Sequence, residues 1–170
     1  MILNVSLVFA QQTDTTAKKT KSLMANLSAS GEFSILVNLI KVANLTSSFD
    51  GNSPVTFFAP TDKAFEKIAP GMLDTLLLPA RQAQLAALIQ YHTVVGRITS
   101  KDIAKLVKAG NGKATLTALS GGILTATINE NRNIVLTDDN GGQCIISRFD
   151  IPQSNGLLDI VTAVLMPKSK

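Results

Sequence analysis

The spacing of hydrophobic residues changes partway along the chain, from a helical period to a strand period. Apolar residues three and four positions apart predict two helices between 22 and 43, a short one from Met72 and a longer one over 81–90. From Lys113 onward the period approaches two, which predicts strands at 115–117, 124–128, 134–137, 144–146 and 158–165. Helices followed by a meander of strands predict an α+β fold, with one helical layer on largely antiparallel sheets.

A buried strand and a short helix are predicted to meet in the segment 55–68. Residues 55–59 are mostly β-branched or aromatic, and Pro60 has no N–H to continue a strand ladder, so the strand should end there. Thr61 and Asp62 offer side-chain oxygens that can cap a following helix, whose apolar face includes Phe65. The segment therefore predicts a strand-to-helix corner.

The segment that follows the 81–90 helix contains His92, the one histidine of the chain. Residues 91–95 predict a strand, which Gly96 turns. Ser100 is expected to cap the next helix and to place Asp102 in its first turn, against the positive end of the helix dipole. The side chains expected to face the core from this helix are Ile103, Leu106 and Val107.

Length and charge narrow the functional classes. A chain of 170 residues suits a single domain with one hydrophobic core. The net charge of +4 comes from the two tails, because residues 22–167 carry 11 basic and 11 acidic residues. The sequence shows neither a basic cluster nor aromatic residues interleaved with one, so we expect no binding of nucleic acid.

The chain has one cysteine, Cys144, which excludes an intramolecular disulfide and a cysteine-based zinc site. It lies in a strand pattern and is predicted to fill the core. The acidic run 138–141 lacks the ligand spacing of a calcium loop, and its Asn-Gly pair is typical of a hairpin turn. We therefore predict no metal site and no cofactor.

The chain begins with the apolar run 1–10, which resembles the core and the small-residue end of a secretory signal peptide but lacks a preceding Lys or Arg. A clipped signal is favoured over a plain apolar N-terminus, and the run is too short to span a bilayer. Residues 11–21 predict a flexible tail, 22–167 a single domain and 168–170 a C-terminal tail. The expected location is secreted, periplasmic or cell-surface.

Two motifs, in the same order as in a known family, frame the domain. The stretch T-F-F-A-P-T-D-K-A-F resembles the first signature of the fasciclin domain through Thr56, Phe58, Ala59, Pro60, Thr61, Asp62 and Phe65. The stretch 155–167, which begins with Asn155 and Gly156, resembles the closing strand, and Tyr91-His92 stands where the family has a Tyr-His pair. The resemblance covers 22–167 and implies a compact β-sandwich or wedge with a layer of short helices, mostly from the N-terminal half.

The closing motif departs from the family pattern, which has a His after Asn-Gly-x-x and an Asp three residues later. This chain has Asp159 and Thr162 at those positions. An interior polar contact of the family is therefore absent or rebuilt, and His92 either loses a partner or gains Asp159 as an acidic one.

The resemblance implies a non-enzymatic adhesion or interaction module that binds a cell-surface or matrix protein or a polysaccharide. The family associates adhesion with its Tyr-His pair and with an Asp-Ile motif, which correspond to Tyr91, His92, Asp102 and Ile103. The aliphatic residues beside Tyr91-His92 are expected to lie in the core, because alternate residues of a strand cannot all face outward. We expect a monomer, and the short leader and the absence of disulfides favour a bacterial source.

Two other functions stay open at this point. One is a secreted domain that binds a small molecule or glycan in a groove between sheet and helices, which ligand-dependent thermal stabilisation would reveal. The other is a hydrolase in which His92 works with Cys144 or Asp159. Unchanged activity in a folded His92→Ala variant would remove the hydrolase.

Overall fold

A computed structural model of the chain describes residues 20–168. Its helices are α1 (Leu23–Ser30), α2 (Ser34–Val42), α3 (Thr46–Phe49), α4 (Asp62–Phe65), α5 (Met72–Leu76), α6 (Gln82–Tyr91) and α7 (Ser100–Ala109), with a 3-10 turn at Pro79–Arg81. Its strands are β1 (Val55–Pro60), β2 (Thr93–Val95), β3 (Ala114–Thr117), β4 (Ile123–Ile128), β5 (Ile134–Thr137), β6 (Gln143–Gln153) and β7 (Gly156–Val161). This is the predicted α+β order of helices first and strands later.

The seven strands form one sheet in the order β2-β1-β7-β6-β5-β4-β3. Strands β3 to β7 are an antiparallel meander, as predicted, whereas β1 lies parallel to β7. A single bridge between Val94 and Ala118 joins the two ends of the sheet. The strands therefore make one mixed sheet that curls almost into a barrel or wedge, which confirms the compact α+β fold that the resemblance implied.

Side chains of β1 alternate between two cores, as the period of two in a strand requires. Phe57 and Ala59 face the first core, which is formed mainly with α1, α2 and α6. Phe58 faces the second core, inside the curled sheet. Helix α7 covers this second core with Ile103 and Val107. Helix α7 therefore lies apart from the N-terminal helical layer.

The strand-to-helix corner at Pro60 is present, but its capping differs from the prediction. Thr61 makes no side-chain cap bond to α4. The carboxylate of Asp62 instead accepts hydrogen bonds from the N–H groups of Ser34 and Ile35, at 3.2 and 2.9 Å. Asp62 thus caps α2, which has no side-chain cap of its own. The signature residue joins two helices that are distant in sequence.

The closing motif fixes the parallel strand pair. A Cβ on Gly156 would lie 1.9 Å from the carbonyl oxygen of Val55, so only glycine lets β7 approach β1 here. Asn155 accepts a hydrogen bond from the N–H of Leu23 at 3.3 Å and donates its side-chain N–H to the carbonyl of Phe49. These contacts join the start of the helical layer to the sheet.

Three predicted strand bounds are wrong for identifiable reasons. The strand placed at 91–95 begins at Thr93, because the N–H of His92 still bonds to the carbonyl of Ile89 in helical fashion, at 3.1 Å. The strand placed at 158–165 ends at Val161, opposite Pro60, the last residue of β1. Strand β6 continues well beyond the predicted 144–146, because its later residues pair with β7.

Within residues 20–168, no helix has both the length and the hydropathy to cross a membrane. The predicted signal-like run 1–10, most of the predicted tail 11–21 and residues 169–170 lie outside the described part of the chain.

Candidate functional site

His92 is buried at the junction of α6 and β2, and both of its ring nitrogens have backbone partners. Nε2 accepts a hydrogen bond from the N–H of Leu165 at 3.0 Å, so the ring proton is on Nδ1, which donates to the carbonyl of Leu88 at 2.8 Å. Burial lowers the pKa of His92 from 6.5 to about 4. The imidazole is therefore a neutral structural link between α6 and the residues that follow β7.

Tyr91, the last residue of α6, is fully buried. Its hydroxyl donates to the carbonyl of Ile123 at 2.7 Å and accepts from the N–H of Asp139 at 3.0 Å. A Cβ on Gly122 would lie 2.5 Å from its ring, so glycine makes room for the tyrosine. Burial raises the pKa of Tyr91 to about 12, and the hydroxyl stays protonated.

The carboxylate of Asp138 accepts three backbone hydrogen bonds that the sequence analysis did not predict, because it assigned the run 138–141 only to a turn. Its Oδ1 accepts from the N–H groups of Asn140 and Gly142, at 2.9 and 2.7 Å. Its Oδ2 accepts from the N–H of Met166 at 2.8 Å. The turn carboxylate therefore also holds the segment after β7, next to the partner of His92. An aspartate that opens a turn can accept from N–H groups two and four residues on, a signal that indicates the first contacts but not the distant one.

The start of α7 is held by two carboxylates. Thr99, rather than the predicted Ser100, is the N-cap, and it forms a capping box with Asp102. Hydrogen bonds from the Thr99 hydroxyl and N–H lower the pKa of Asp102. Asp150 accepts the N–H of Ser100 at 2.7 Å. Ile103 is fully buried in the second core.

Asp159 is buried in β7, yet it is not the acidic partner of His92 that the sequence left open. Its Oδ1 accepts the N–H of Asp150 at 2.7 Å, while Oδ2 has no hydrogen-bond partner among the described residues. Burial raises the pKa of Asp159 to about 7. Asp159 and Asp150 thus connect β7 to a bulge of β6 and, through Ser100, to α7.

The geometry does not assemble the hydrolase that the sequence left open. Both nitrogens of His92 are occupied by backbone groups, so neither is available to activate Cys144. Cys144 is buried, and burial raises its thiol pKa to about 12, the opposite of an activated nucleophile. Among residues 20–168, no group of three or more His, Cys, Asp and Glu side chains is placed to hold a metal ion.

An open, largely apolar groove of about 440 Å³ lies between the two ends of the sheet. It is lined by Val94, Val95 and Ile98 on one side, by Leu106 of α7, and by residues 115–119 on the other side. Val95 is 62% exposed, Leu106 47% and Leu119 46%. The prediction that Leu106 faces the core is wrong, because α7 directs only Ile103 and Val107 inward. Leu106 has the helical spacing expected of a core residue, so spacing alone did not show that it lies at the exposed edge of the apolar face of α7.

The four residues that the resemblance assigned to binding do not line this groove. Tyr91, His92 and Ile103 are buried, and Asp102 is engaged in the capping box. Tyr91-His92, however, directly precedes β2, and Asp102-Ile103 lies in α7, and both β2 and α7 border the groove. A binding role for these side chains stays a prediction.

Comparison with known proteins finds relatives along most of the chain. Two proteins of Synechocystis sp. are similar: protein sll1483, at 30% identity over 79% of this chain and 67% of its own length, and the uncharacterized protein sll1735, at 31% identity over 79% and 89%. Transforming growth factor-beta-induced protein ig-h3 of Oryctolagus cuniculus is 30% identical over 86% of this chain, which spans 19% of that protein.

The fold also matches a solved structure, a FAS1 domain pair from the insect cell adhesion molecule fasciclin I. The TM-score is 0.76 at 17% identity, over 87% of this chain and 51% of that one. At that identity the match shows the fold. The fasciclin-domain family model matches residues 31–167. The chain therefore belongs to the fasciclin domain family.

Proposed function

We propose that this chain is a non-enzymatic adhesion or interaction module that is exported and binds a cell-surface or matrix protein or a polysaccharide. Family membership supports this proposal, since fasciclin domains occur in an insect cell adhesion molecule and in ig-h3. The two side chains considered for a hydrolase are both buried: His92 is bound at both ring nitrogens by backbone groups, and burial raises the pKa of Cys144 to about 12.

The observation that carries the proposal is that the two motifs lie next to, or within, elements that border one groove. Tyr91-His92 directly precedes β2, Asp102-Ile103 lies in α7, and Val95 and Leu106 of these two elements are exposed in the groove. Exposed aliphatic side chains that gather in a concave surface are typical of a contact site, whereas single ones are ordinary surface. The resembled motifs then act by positioning the groove, and their neighbours make the contact.

Adhesion of the full chain to immobilised cell-surface and matrix preparations tests the proposal. We expect Val95→Lys to reduce binding at least tenfold, because a charge would enter the apolar groove. The matched control is Leu78→Lys, since Leu78 is 52% exposed and lies outside the groove. Equal binding by both variants would contradict the assigned surface, and absence of binding by the unmodified chain would contradict the function.

Location is tested separately, by N-terminal sequencing of the protein expressed from its native upstream region. The proposal predicts a mature end near Gln11 in the periplasm or the medium. An intact Met1 in the cytoplasm would contradict an adhesion role.

A second candidate, binding of a small ligand, is favoured by the groove volume, because about 440 Å³ lies within the roughly 300–1,000 Å³ of small-molecule sites. Thermal stabilisation by a defined small molecule or oligosaccharide, lost in Leu106→Asp, would support it over the first.

A further inference from the structure

Strand β3 has a free edge that faces the groove. It is the last strand of the sheet and pairs with β4 alone, apart from the bridge at Ala118. The N–H of Ala118 bonds to the carbonyl of Gly122 at 2.8 Å, and bonded pairs alternate along an antiparallel ladder. Leu116 therefore turns its backbone groups to β4, and Thr115 turns its N–H and carbonyl to the groove. No described strand pairs with these groups.

The two strands that border the groove, β2 and β3, pair at one point only. That point is the bridge between Val94 and Ala118, beside which the N–H of Leu119 bonds to the carbonyl of Thr93 at 2.7 Å. From there the chain runs towards Ile98 on one side and Thr115 on the other, and both residues line the opening. The edge that the bridge leaves open runs from the N–H of Thr117 to the backbone groups of Thr115, about 7 Å at roughly 3.3 Å per residue. An unpaired strand edge beside an apolar groove is the geometry at which proteins accept an extended peptide.

The charge of this region defines the kind of strand that fits. Residues 93–119 contain five basic residues and a single acidic one, Asp102, whose carboxylate is engaged by Thr99. The basic residues of this stretch are Arg97, Lys101, Lys105, Lys108 and Lys113, all of them exposed. Since residues 22–167 are neutral as a whole, the remainder carries a compensating negative charge. The guanidinium of Arg97 donates to the carbonyls of Gln153 and Ser154, at 3.2 and 3.1 Å. The other four are lysines on α7 or directly before β3, the elements that border the groove with Leu106 and Thr115.

We propose that this groove binds an extended segment of a partner protein that pairs with the β3 edge, places alternate apolar side chains in the groove and carries carboxylates at its ends. This inference rests on the proposed function and names its partner class. A second copy of the chain fits less well, because pairing β3 with β3 would bring two sets of lysines together. A glycan has no backbone N–H and carbonyl groups in the spacing that an edge strand offers.

The probe is a nine-residue synthetic peptide of alternating valine and threonine with two glutamates at each end, titrated into the full chain labelled with ¹⁵N. We expect amide shifts at Thr115, Thr117 and Val95 and none at Leu78. The same peptide with lysines at its ends should bind at least tenfold more weakly. A peptide N-methylated at alternate residues of its pairing edge should not bind. Equal binding of the methylated peptide, shifts elsewhere or no binding at millimolar concentration would overturn the proposal.

Variants of the edge give a second measurement. Thr115→Pro removes the N–H that faces the groove and should weaken binding of the glutamate peptide at least tenfold. Thr115→Val keeps that N–H, so its affinity for the peptide should stay within twofold of that of the unmodified chain. Proline is tolerated where the N–H faces away from the ladder. Should Thr115→Pro fail to fold, binding of the glutamate peptide is compared between Leu106→Asp and the control Leu78→Asp. Only Leu106→Asp places a negative charge in the groove, where it would repel an acidic strand.

The outcomes separate this inference from the function on which it rests. Adhesion to surface preparations without peptide binding would overturn the strand proposal alone. Peptide binding without adhesion would overturn the adhesion role alone.

Discussion

The two sides of the segment 91–95 are built in opposite ways. On the interior side, Tyr91 and His92 have every polar side-chain atom bound to a backbone partner. On the other side, Val95 is 62% exposed at the edge of an apolar groove. Fixed polar contacts make the interior rigid, whereas exposed apolar groups leave the groove ready to be covered. The difference teaches that the family motif is structural in this chain, whereas the exposed apolar residues lie beside it; under the proposed function, these neighbours make the contact.

The largest effect should come from removing the carboxylate that joins the turn to the C-terminal segment. Asp138→Ala would leave the N–H groups of Asn140, Gly142 and Met166 without their acceptor. Hydrogen bonds to charged groups contribute about 1.5–3 kcal/mol each, so we expect the loss of three to lower the free energy of unfolding by at least about 4.5 kcal/mol. Urea denaturation measures this free energy of unfolding. The control Asp139→Ala, at an exposed neighbour, should cost less than about 1 kcal/mol. Equal losses would contradict the role of Asp138.

The interior should also be sensitive to acid through His92. Its folded pKa of about 4 lies below the unfolded 6.5, so the unfolded state takes up the proton first. This contribution to stability is fully present above pH 6.5 and is lost as the pH falls towards 4. Between pH 7.5 and 4.5 we expect a loss of about 2.5 kcal/mol, since this range covers nearly two of the 2.5 pKa units and one unit is about 1.4 kcal/mol. Protonation would also set a ring N–H against the N–H of Leu165.

The measurement for His92 is the difference in unfolding free energy between the unmodified chain and His92→Gln from pH 7.5 to 4.5. The variant should be less stable at pH 7.5, and the gap should narrow by about 2.5 kcal/mol at pH 4.5. A constant gap would contradict a neutral, buried His92.

Asp159 should act in the opposite direction. Its folded pKa of about 7 lies above the usual 3.8, so the folded state takes up the proton first and stability rises as the pH falls from 8 to 5. Asp159→Asn should therefore be more stable than the unmodified chain at pH 8, and this gain should shrink by about 2.7 kcal/mol by pH 5, since the slope below pH 7 is about 1.4 kcal/mol per unit and ends only near 3.8. The pH dependences of stability from His92 and from Asp159 have opposite signs, so they partly cancel in the unmodified chain. Thermal unfolding at pH 8 and pH 5 tests this, and a variant that is less stable at pH 8 would contradict it.

The smallest effect on stability is expected from truncating Leu106 at the groove, in comparison with Ile103 in the core. Ile103 and Leu106 lie three residues apart on α7, the first fully buried and the second 47% exposed. Ile103→Ala should cost about 3 kcal/mol through lost packing, and Leu106→Ala less than about 1 kcal/mol. Urea denaturation of the two variants makes the comparison. Similar costs would show that Leu106 is part of the core rather than of a contact surface.

Local patterns predicted much of the fold. Pro60 ended β1 as expected, Gly31 closes α1 with a left-handed φ of 70°, and the period of two predicted the meander. These features depend on residues that are close in sequence. The parallel pairing of β1 with β7 and the capping of α2 by Asp62 depend on residues far apart in sequence, which no local pattern specifies.

The candidate site was predicted less completely for the same reason. The resemblance pointed to Tyr91-His92 and Asp102-Ile103, yet the groove beside them arises only when the ends of the sheet approach each other. The outward orientation of Leu106 follows from how α7 sits on the second core, which its own spacing leaves open. Asp159 replaced a family histidine, and only the fold shows that it bonds to Asp150 rather than to His92.

The central claim is that the groove makes the contact while the buried motif holds it in place. The most direct test measures the binding of Leu106→Ala to the same surface preparation as the unmodified chain, together with its unfolding midpoint in urea. We predict an almost unchanged midpoint and binding at least tenfold weaker. An unchanged midpoint with full binding would contradict the claim.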